Sequence, residues 1–283
     1  MILTCPSKTF CLGEYSVLKH FQAIVILTEP FFQLRVESKP GNFPHEPHLI
    51  SLEEQWPSNY SWEWQDPHQK KGGLGASSAQ FLLTQTALDH INNTPKSLHE
   101  ILHIYRHVHT TNIPPSGADL IGQYNGWLTF IDTQECRIHS YSWPFDDLGF
   151  ILIRTGQKCA THQELNTTTL PDLEEAHTCV EHAHQAIKDK NSKEFIQSIQ
   201  RFHETMVKLN LCHLETQQLL SQLKHEGILA AKGCGAQGRD TCLLITSRPS
   251  HTQIKQWLSE RVEIIADHTQ LASGLTLKGN CHD

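Results

Sequence analysis

A glycine-rich turn that leads directly into a helix-spaced segment constrains this chain more than any other feature. Residues 72–80 are GGLGASSAQ, and small or apolar side chains then recur at three- and four-residue spacing from Ala79 to Ile91, which predicts a helix. Glycines let the backbone turn tightly, and the first amides of a helix can bind an anion. The segment therefore predicts a phosphate cradle, although a plain glycine turn with a serine helix cap would look the same.

The residues around this turn narrow the kind of phosphate site. Lys70 and Lys71 add positive charge before the turn, and Ser77 and Ser78 supply hydroxyls that can reach a phosphate or its Mg²⁺. The turn lacks the G-K-[ST] ending of a Walker A loop and the spacing of a G-x-G-x-x-G dinucleotide loop. Both of these common nucleotide-binding loops are therefore excluded.

Composition excludes several classes of protein. The 283 residues are 38% hydrophobic, which is enough for a large core. A formal net charge of −7 argues against a nucleic-acid binder, which needs a basic surface. Nine cysteines without a C-x-x-C pair are typical of reduced thiols in a cytoplasmic protein. The first residues do not have the pattern of a signal peptide, and no apolar run is long enough to predict a membrane helix.

The chain is also rich in histidine, with twenty residues of this type. His99, His103 and His107 are spaced four residues apart, so they share one face of a predicted helix. Such a row can bind a metal, but no carboxylate lies among them as it does in H-E-x-x-H. We favour a solvated helix face over a metal site.

The order of predicted elements favours an α+β protein over a doubly wound one. Two strands are predicted at 23–27 and 31–36, with Glu29-Pro30 as the turn between them, and 41–67 is predicted to be rich in loops. A cluster of Pro, Asp and Gly at 143–149 indicates a boundary between two lobes, 1–147 and 148–283. Further helices are predicted at 97–109, 118–123, 171–190, 192–209, 214–226 and 253–261, and further strands at 126–132, 150–154, 241–246 and 262–266.

Two other stretches carry residues suited to chemistry. In PSKTFCLGEYSVL, residues 6–18, Lys8 and Glu14 interrupt an apolar run. In AAKGCGAQGRDTCLLI, residues 230–245, three glycines form a loop that leads into an apolar strand. Taken singly, these features also fit a solvated lysine and an ordinary connecting loop.

Together, in their order and spacing, the three stretches resemble the motifs of the GHMP kinases, which include galactokinase, homoserine kinase, mevalonate kinase and phosphomevalonate kinase. The family patterns are P-G-K-x-x-L-x-G-E-[HY], G-L-G-S-S-A-A and K-x-x-G-A-G-x-G, and an S-G-x-D segment lies between the last two. The matching positions are Pro6, Lys8, Leu12, Gly13, Glu14, Tyr15, Gly73, Leu74, Gly75, Ser77, Ala79, Ser116, Gly117, Asp119, Lys232, Gly235, Ala236 and Gly238. The departures are Ser7, Ala76, Ser78 and Gln237.

The resemblance implies a two-lobed α+β fold. The N-terminal lobe would be similar to ribosomal protein S5 and would bind ATP, and the C-terminal lobe would be ferredoxin-like. ATP and Mg²⁺ are the implied cofactors. The residues implied to hold the triphosphate are Gly73, Leu74, Gly75, Ala76, Ser77 and Ser78, with Ser77 on the Mg²⁺. Lys8 and Asp119 are the implied catalytic pair. The residues implied to contact the acceptor are Glu14, Tyr15, Ser116, Gly117, Lys158, Thr161, Gly235 and Ala236.

Four details favour phosphomevalonate over mevalonate as the acceptor. The first motif has Tyr15 where mevalonate kinases more often have His, and residues 155–161, TGQKCAT, resemble a segment of phosphomevalonate kinases. Asp240 matches the Asp that follows their third motif, and no Glu stands near Val108, where mevalonate kinases usually bind Mg²⁺. The cations predicted to receive the acceptor's phosphate are Arg154, Lys158 and Arg239.

Two alternatives stay open at this point: a mevalonate kinase, and an inactive nucleotide-binding protein of the same fold. The departures Ala76 and Gln237 are the reason to consider an inactive protein. The retention of both Lys8 and Asp119 argues against it. The expected partner is a small acceptor, with no nucleic acid and no membrane, and the chain is expected to be a monomer or homodimer.

Overall fold

The computed structural model describes residues 1–108, 115–135, 137–156 and 170–279. Two antiparallel sheets form its framework. The six-stranded sheet has the order β10-β1-β2-β4-β5, with β3 also paired to β2, and the four-stranded sheet has the order β7-β8-β6-β9. The strands are β1 Ile2–Leu12, β2 Ala23–Arg35, β3 Glu63–Gln65, β4 Leu128–Asp132, β5 Arg137–Tyr141, β6 Leu148–Arg154, β7 Ile228–Cys234, β8 Thr241–Ser247, β9 Ile264–Asp267 and β10 Thr276–Lys278. The α+β prediction is confirmed.

Helices pack on both sheets and complete the layers. Short 3-10 turns lie at Ser16–Lys19, Pro47–Leu49, Ala236–Gly238 and His268–Gln270. The α-helices are α1 Ile50–Glu53, α2 Ala76–Ile91, α3 Leu98–Val108, α4 Ala118–Asn125, α5 Glu174–Asp189, α6 Ser192–Lys208, α7 Leu214–Gln222 and α8 His251–Ser259. In the part of the chain that the structure covers, no helix has both the length and the apolar character needed to cross a membrane.

The predicted turn at Glu29-Pro30 is wrong, because β2 is one strand that continues through both residues. Pro6 pairs with Phe31 and the next residue, Ser7, pairs with Thr28, so Glu29 and Pro30 form a bulge. Proline has no N–H to give to the ladder, and a bulge accommodates it without ending the strand. The Ser7 hydroxyl donates to the Pro30 carbonyl at 2.7 Å.

The four-stranded sheet is covered on both faces, which explains why β6 is apolar throughout. Alternate residues of a strand point to opposite faces. Phe150 and Leu152 therefore pack with α5 and α6, whereas Ile151 and Ile153 pack with α7 and α8.

The two sheets share part of their core. One continuous cluster joins Leu12 and Ile24 of the six-stranded sheet to Phe150 and Leu243 of the four-stranded sheet. The chain then returns to the first sheet at its end, where β10 pairs with β1. The division into lobes 1–147 and 148–283 stays a prediction.

Other element boundaries differ from the sequence prediction by a few residues. The helix predicted from Pro171 begins at Glu174, whose amide bonds the Asp172 carboxylate at 3.0 Å. The stretch predicted to be loop-rich, 41–67, contains the short elements α1 and β3. α7 ends at Gln222, four residues before the predicted end.

Candidate functional site

The glycine turn and the start of α2 form the first part of the site. Gly75 caps the helix with φ 84°, a left-handed conformation that suits glycine. The amides of Ala76, Ser77 and Ser78 are in the first turn, where a helix supplies no carbonyl partner of its own. Ser77, in this first turn, is exposed to solvent. The sequence-predicted cradle therefore has the geometry that anion binding needs.

Ser78 lies differently from Ser77. Its side chain is buried, and its hydroxyl is bonded to Gln123 Oε1 at 2.7 Å and to the Gly75 carbonyl at 3.0 Å. The hydroxyl is thus engaged inside the protein, which argues against the predicted role of this side chain toward a phosphate. The backbone amide remains in the cradle.

The glycines of the turn are needed because other motifs pack against it. A Cβ added at Gly73 would collide with the side chain of Asp240, and so would a Cβ added at Gly235. A Cβ at Gly75 would lie 2.8 Å from Gln123 Nε2. Asp240 therefore lies between the second and third motifs, and glycine at both contact points lets the two loops approach.

Lys8 and Asp119 meet beside this turn. Lys8 is on β1, and its amide donates to the carbonyl of Leu74 at 3.0 Å, which ties the first motif to the second. Asp119 is in the first turn of α4. Lys8 Nζ lies 2.8 Å from Asp119 Oδ1, with the side chains 7% and 35% exposed, and it also lies 4.3 Å from the centre of the Phe10 ring. The predicted catalytic pair is thus assembled, with its carboxylate open to solvent.

Gln123 is a site residue that the sequence analysis missed. Its Nε2 donates to the Gly75 carbonyl at 3.0 Å and to the Pro6 carbonyl at 3.2 Å, while its Oε1 accepts from Ser78. It follows Asp119 by four residues, so both side chains lie on one face of α4. This four-residue spacing from Asp119 is the sequence signal from which Gln123 could have been identified.

Glu14 and Lys232 form a second ion pair, which joins the first motif to the third. Both side chains are almost fully buried. Burial raises the pKa of the Glu14 carboxyl, against the opposing effect of the Lys232 ammonium. Burial acts to lower the pKa of Lys232, but Cys234 and Glu14 outweigh it and the pKa is raised. The burial of Glu14 argues against its predicted contact with an acceptor.

The third motif forms a tight loop held by Tyr15. Gly235 has φ 83° and precedes the 3-10 turn Ala236–Gly238. Gln237, which replaces a glycine of the family pattern, has φ 50°, and its amide donates to the Tyr15 hydroxyl at 2.6 Å. The loop thus keeps a glycine-like backbone conformation at Gln237, and the Tyr15 hydroxyl stabilises it by accepting the hydrogen bond.

The S-G-x-D segment is braced by α3. Gly117 has φ 81°, and a Cβ there would collide with Leu102 of α3. Arg106, near the end of α3, donates to the Ser116 carbonyl at 2.6 Å. The sequence analysis did not select Arg106, which places a guanidinium beside the predicted acceptor segment.

The other predicted cations have protein partners or fall outside the described residues. Arg154 is buried and lies 3.2 Å from Glu263 Oε1 and 3.4 Å from the Gly72 carbonyl. Arg239 Nη2 lies 3.0 Å from His213 Nε2. Lys158 and Thr161 lie outside the described residues.

The histidines on α3 lie on the surface. His99, His103 and His107 are all exposed, and the ring centres of the last two lie 4.2 Å apart. The arrangement is that of a solvated helix face.

The fold is similar to that of several solved kinases. Mevalonate kinase from Methanococcus jannaschii aligns with a TM-score of 0.73 and 15% identity, covering 96% of this chain and 98% of its own. Phosphomevalonate kinase from Streptococcus pneumoniae, in complex with phosphomevalonate and AMPPNP, aligns with a TM-score of 0.74 and 16% identity, covering 94% and 99%. Galactokinase from Lactococcus lactis, complexed with galactose, aligns with a TM-score of 0.71 and 11% identity, covering 97% and 94%.

No family model and no curated protein matches the sequence. The likeness is therefore one of structure, and it extends over nearly the whole of this chain and of each kinase. The chain has the two-lobed α+β fold of the GHMP kinases, as its motifs predicted.

Proposed function

We propose that this protein is an ATP-dependent small-molecule kinase that transfers the γ-phosphoryl group of ATP to 5-phosphomevalonate and yields 5-diphosphomevalonate. The observation that carries the proposal is the Lys8–Asp119 pair, 2.8 Å apart, beside the amides that begin α2. Phosphoryl transfer depends mainly on positioning and on stabilising the negative charge of the transition state. A lysine, a carboxylate and an amide cradle in one place supply both.

The amide cradle would hold the triphosphate. The N-terminal amides of α2 and the positive end of its dipole favour phosphate oxygens. The exposed Ser77 hydroxyl fits the oxygen ligand that Mg²⁺ takes from a protein when phosphates supply most of its shell. Mg²⁺ there would neutralise phosphate charge.

Lys8 would stabilise the charge that develops on the transferred group. Its position on β1 is fixed by the hydrogen bond of its amide to Leu74, and the Asp119 carboxylate holds its ammonium. The oxygen of the acceptor's phosphate would attack the γ-phosphorus while the bond to the ADP oxygen breaks, and ADP would leave with that electron pair. No proton has to be removed, because a phosphomonoester is largely ionised at pH 7. Asp119 then acts as a positioning residue.

A phosphorylated acceptor is supported by charge near the S-G-x-D segment. Arg106 brings a guanidinium to Ser116, and the single acidic residue of α3, Glu100, lies at the opposite end of that helix, where its carboxylate bonds Ser97 at 2.7 Å. A cation in this place favours the acceptor with the additional charge of a phosphate, whereas a Mg²⁺-binding carboxylate would have favoured mevalonate.

Mevalonate kinase activity is the second candidate, because the openness of Asp119 would also suit a base. A hydroxyl acceptor needs a base within hydrogen-bond reach, and the 35% exposed Asp119 carboxylate is accessible. An inactive nucleotide-binding protein is the candidate of another class. It would not need both members of the Lys8–Asp119 pair.

ADP release in a coupled assay, with ATP and Mg²⁺, tests the three functions. Mevalonate and 5-phosphomevalonate are compared with the unmodified protein, with Asp119→Asn and with Asp146→Asn, an exposed control. We expect turnover with 5-phosphomevalonate and a modest loss in Asp119→Asn alone. Turnover only with mevalonate, abolished by Asp119→Asn, would show a hydroxyl kinase instead. No ADP from either acceptor would overturn both kinase proposals.

We also propose a cytoplasmic location and a monomer or homodimer. The described cysteines are all free and buried, which suits a reducing compartment. Sedimentation of the purified protein would test the oligomeric state.

A further inference from the structure

Three potential metal ligands converge in the four-stranded sheet, among residues that the proposed kinase chemistry does not use. His251 begins α8, Asp267 ends β9, and His268 begins the 3-10 turn that follows. All three are buried, and each offers a donor atom within 4.8 Å of the others. Across residues 1–108, 115–135, 137–156 and 170–279, this is the one such group of three.

Three of the four imidazole nitrogens of this cluster lack hydrogen-bond partners. His251 Nε2 and both ring nitrogens of His268 are buried without one in the described structure. Buried polar atoms nearly always have a hydrogen-bond partner, so three ring nitrogens without one in the same place need an explanation.

The remaining atoms of the cluster are bonded in a way that orients the donors. His251 Nδ1 lies 2.8 Å from the Thr246 hydroxyl. Asp267 Oδ1 accepts from the amide and hydroxyl of Thr269 at 2.8 and 2.6 Å. His251 Nε2 lies 3.8 Å from Asp267 Oδ2. Bonds of this kind to the outer atoms of metal ligands fix their tautomer and direction in known sites.

Gly149 explains how two imidazoles fit in the layer. A Cβ at this position in β6 would lie 2.7 Å from His251 Nδ1 and 2.8 Å from His268 Nδ1. Glycine in a strand interior weakens it, so its presence often marks a close approach. Here the missing side chain makes room for both rings.

We propose that His251 Nε2, Asp267 Oδ2 and one ring nitrogen of His268 bind Zn²⁺, with water as a fourth ligand. Two imidazoles and a carboxylate suit Zn²⁺ and not Mg²⁺. Zinc–nitrogen bonds of about 2.0–2.1 Å put tetrahedral donors about 3.3 Å apart. The 3.8 Å separation of the first two donors therefore needs only a small contraction.

Lys255 already places a cation against the same carboxylate oxygen. Its Nζ lies 2.5 Å from Asp267 Oδ2, and its side chain is 43% exposed, so it can swing into solvent. Zn²⁺ would take the place of this ammonium. The ion would link α8 to β9 and stabilise the four-stranded sheet.

Titration of the full-length, metal-stripped protein with Co²⁺ and then Zn²⁺, in the presence of Mg²⁺, tests the proposal. We expect one equivalent of Co²⁺ with the visible absorption of a tetrahedral site, displacement by Zn²⁺, and a higher Tm with Zn²⁺. His268→Gln should weaken Zn²⁺ binding by more than about 100-fold, and Thr246→Val by about 10-fold, as for the loss of an outer partner.

Two further variants keep the test decisive if His268→Gln unfolds. Lys255→Met removes the competing ammonium and should tighten Zn²⁺ binding. His103→Gln/His107→Gln removes the exposed pair on α3 and should leave binding unchanged. The proposal is overturned by no bound equivalent, by a thiolate-to-cobalt charge-transfer band that reports cysteine ligands, by binding lost in the α3 variant, or by weaker binding in Lys255→Met.

Discussion

Two lysine–carboxylate pairs involve residues of the family motifs, and their difference in burial separates their roles. The open pair, Lys8–Asp119, has a carboxylate that is 35% exposed, whereas the closed pair, Glu14–Lys232, has side chains 6% and 1% exposed. A substrate can reach the first pair and not the second. The closed pair instead links the turn that follows β1 to β7 and so joins the first motif to the third.

The comparison teaches that a motif match does not fix a role. Lys8, Glu14 and Lys232 all match family positions. Their surroundings nevertheless divide them between one pair open to a ligand and another held inside the protein. Breaking the closed pair should affect folding, and breaking the open pair should affect chemistry.

The largest expected effect is on the closed pair. Glu14→Gln leaves the Lys232 ammonium buried without a counter-charge, so the free energy of unfolding should fall by about 3–5 kcal/mol. Urea denaturation measures this. The exposed pair Lys208–Glu175 supplies the control, since Glu175→Gln should cost less than about 1 kcal/mol. Equal losses in the two variants would show that the closed pair contributes no more than a surface pair.

Breaking the open pair should lower the rate of catalysis and leave the stability nearly unchanged. Lys8→Met should lower kcat for ADP release by about 10²–10³-fold, the usual cost of a lost transition-state contact. Because Asp119 is partly exposed, the free energy of unfolding should change by less than about 1 kcal/mol. Lys193→Met, at an exposed position, is the control. A Lys8→Met protein with unchanged kcat would remove Lys8 from the mechanism.

A smaller effect is expected at the residue that connects the open pair to the cradle. Gln123→Ala leaves the Gly75 and Pro6 carbonyls without this donor, so stability should fall by about 1–3 kcal/mol and the KM for ATP should rise. Asn125→Ala, on the same helix, should leave the KM for ATP unchanged. A rise in KM in both variants would indicate a general loosening of α4.

The smallest expected effect is a loss of stability at acid pH that is caused by a histidine near the open pair. His68 Nε2 lies 2.6 Å from the hydroxyl of Ser7, and burial lowers the pKa of His68 to about 4. Between pH 6.5 and 4 the unfolded state therefore binds more protons at this site. His68 therefore makes the free energy of unfolding decrease as the pH is lowered from 6.5 to 4, by at most about 1.4 kcal/mol per pH unit.

His68→Gln should reduce that slope in urea denaturation between pH 6.5 and 4. His184→Gln is the matched variant, since burial also lowers the pKa of His184 to about 4, away from the open pair. Both variants should flatten the slope, but only His68→Gln should move the acid limb of kcat. If His68→Gln leaves the slope unchanged, the buried His68 imidazole is not the cause of the loss of stability at acid pH.

The fold and the central pair could be predicted because both depend on local pattern. Glycine turns, a helix-spaced run and an isolated lysine all leave marks in the sequence, and the resemblance supplied their arrangement. The strand break at Glu29-Pro30 was predicted wrongly, because a bulge depends on the partner strand, which the local sequence does not show.

Side-chain partners across the fold were harder to predict. The role of Gln123 needs Pro6, Gly75 and Ser78 to meet at one amide. Glu14 matched a motif, but only the tertiary structure shows it buried against Lys232. Both facts depend on contacts between residues far apart in sequence, which motif matching does not describe.

The pairing of β10 with β1 has a consequence for synthesis on the ribosome. The hydroxyls of Thr4 and Thr276 lie 2.7 Å apart although 272 residues separate them. At ordinary translation rates of about 5–20 residues per second, the partner strand emerges tens of seconds after β1. The edge of the strand that carries Lys8 therefore stays open until β10 has been synthesised, a period in which chaperones can bind the nascent chain.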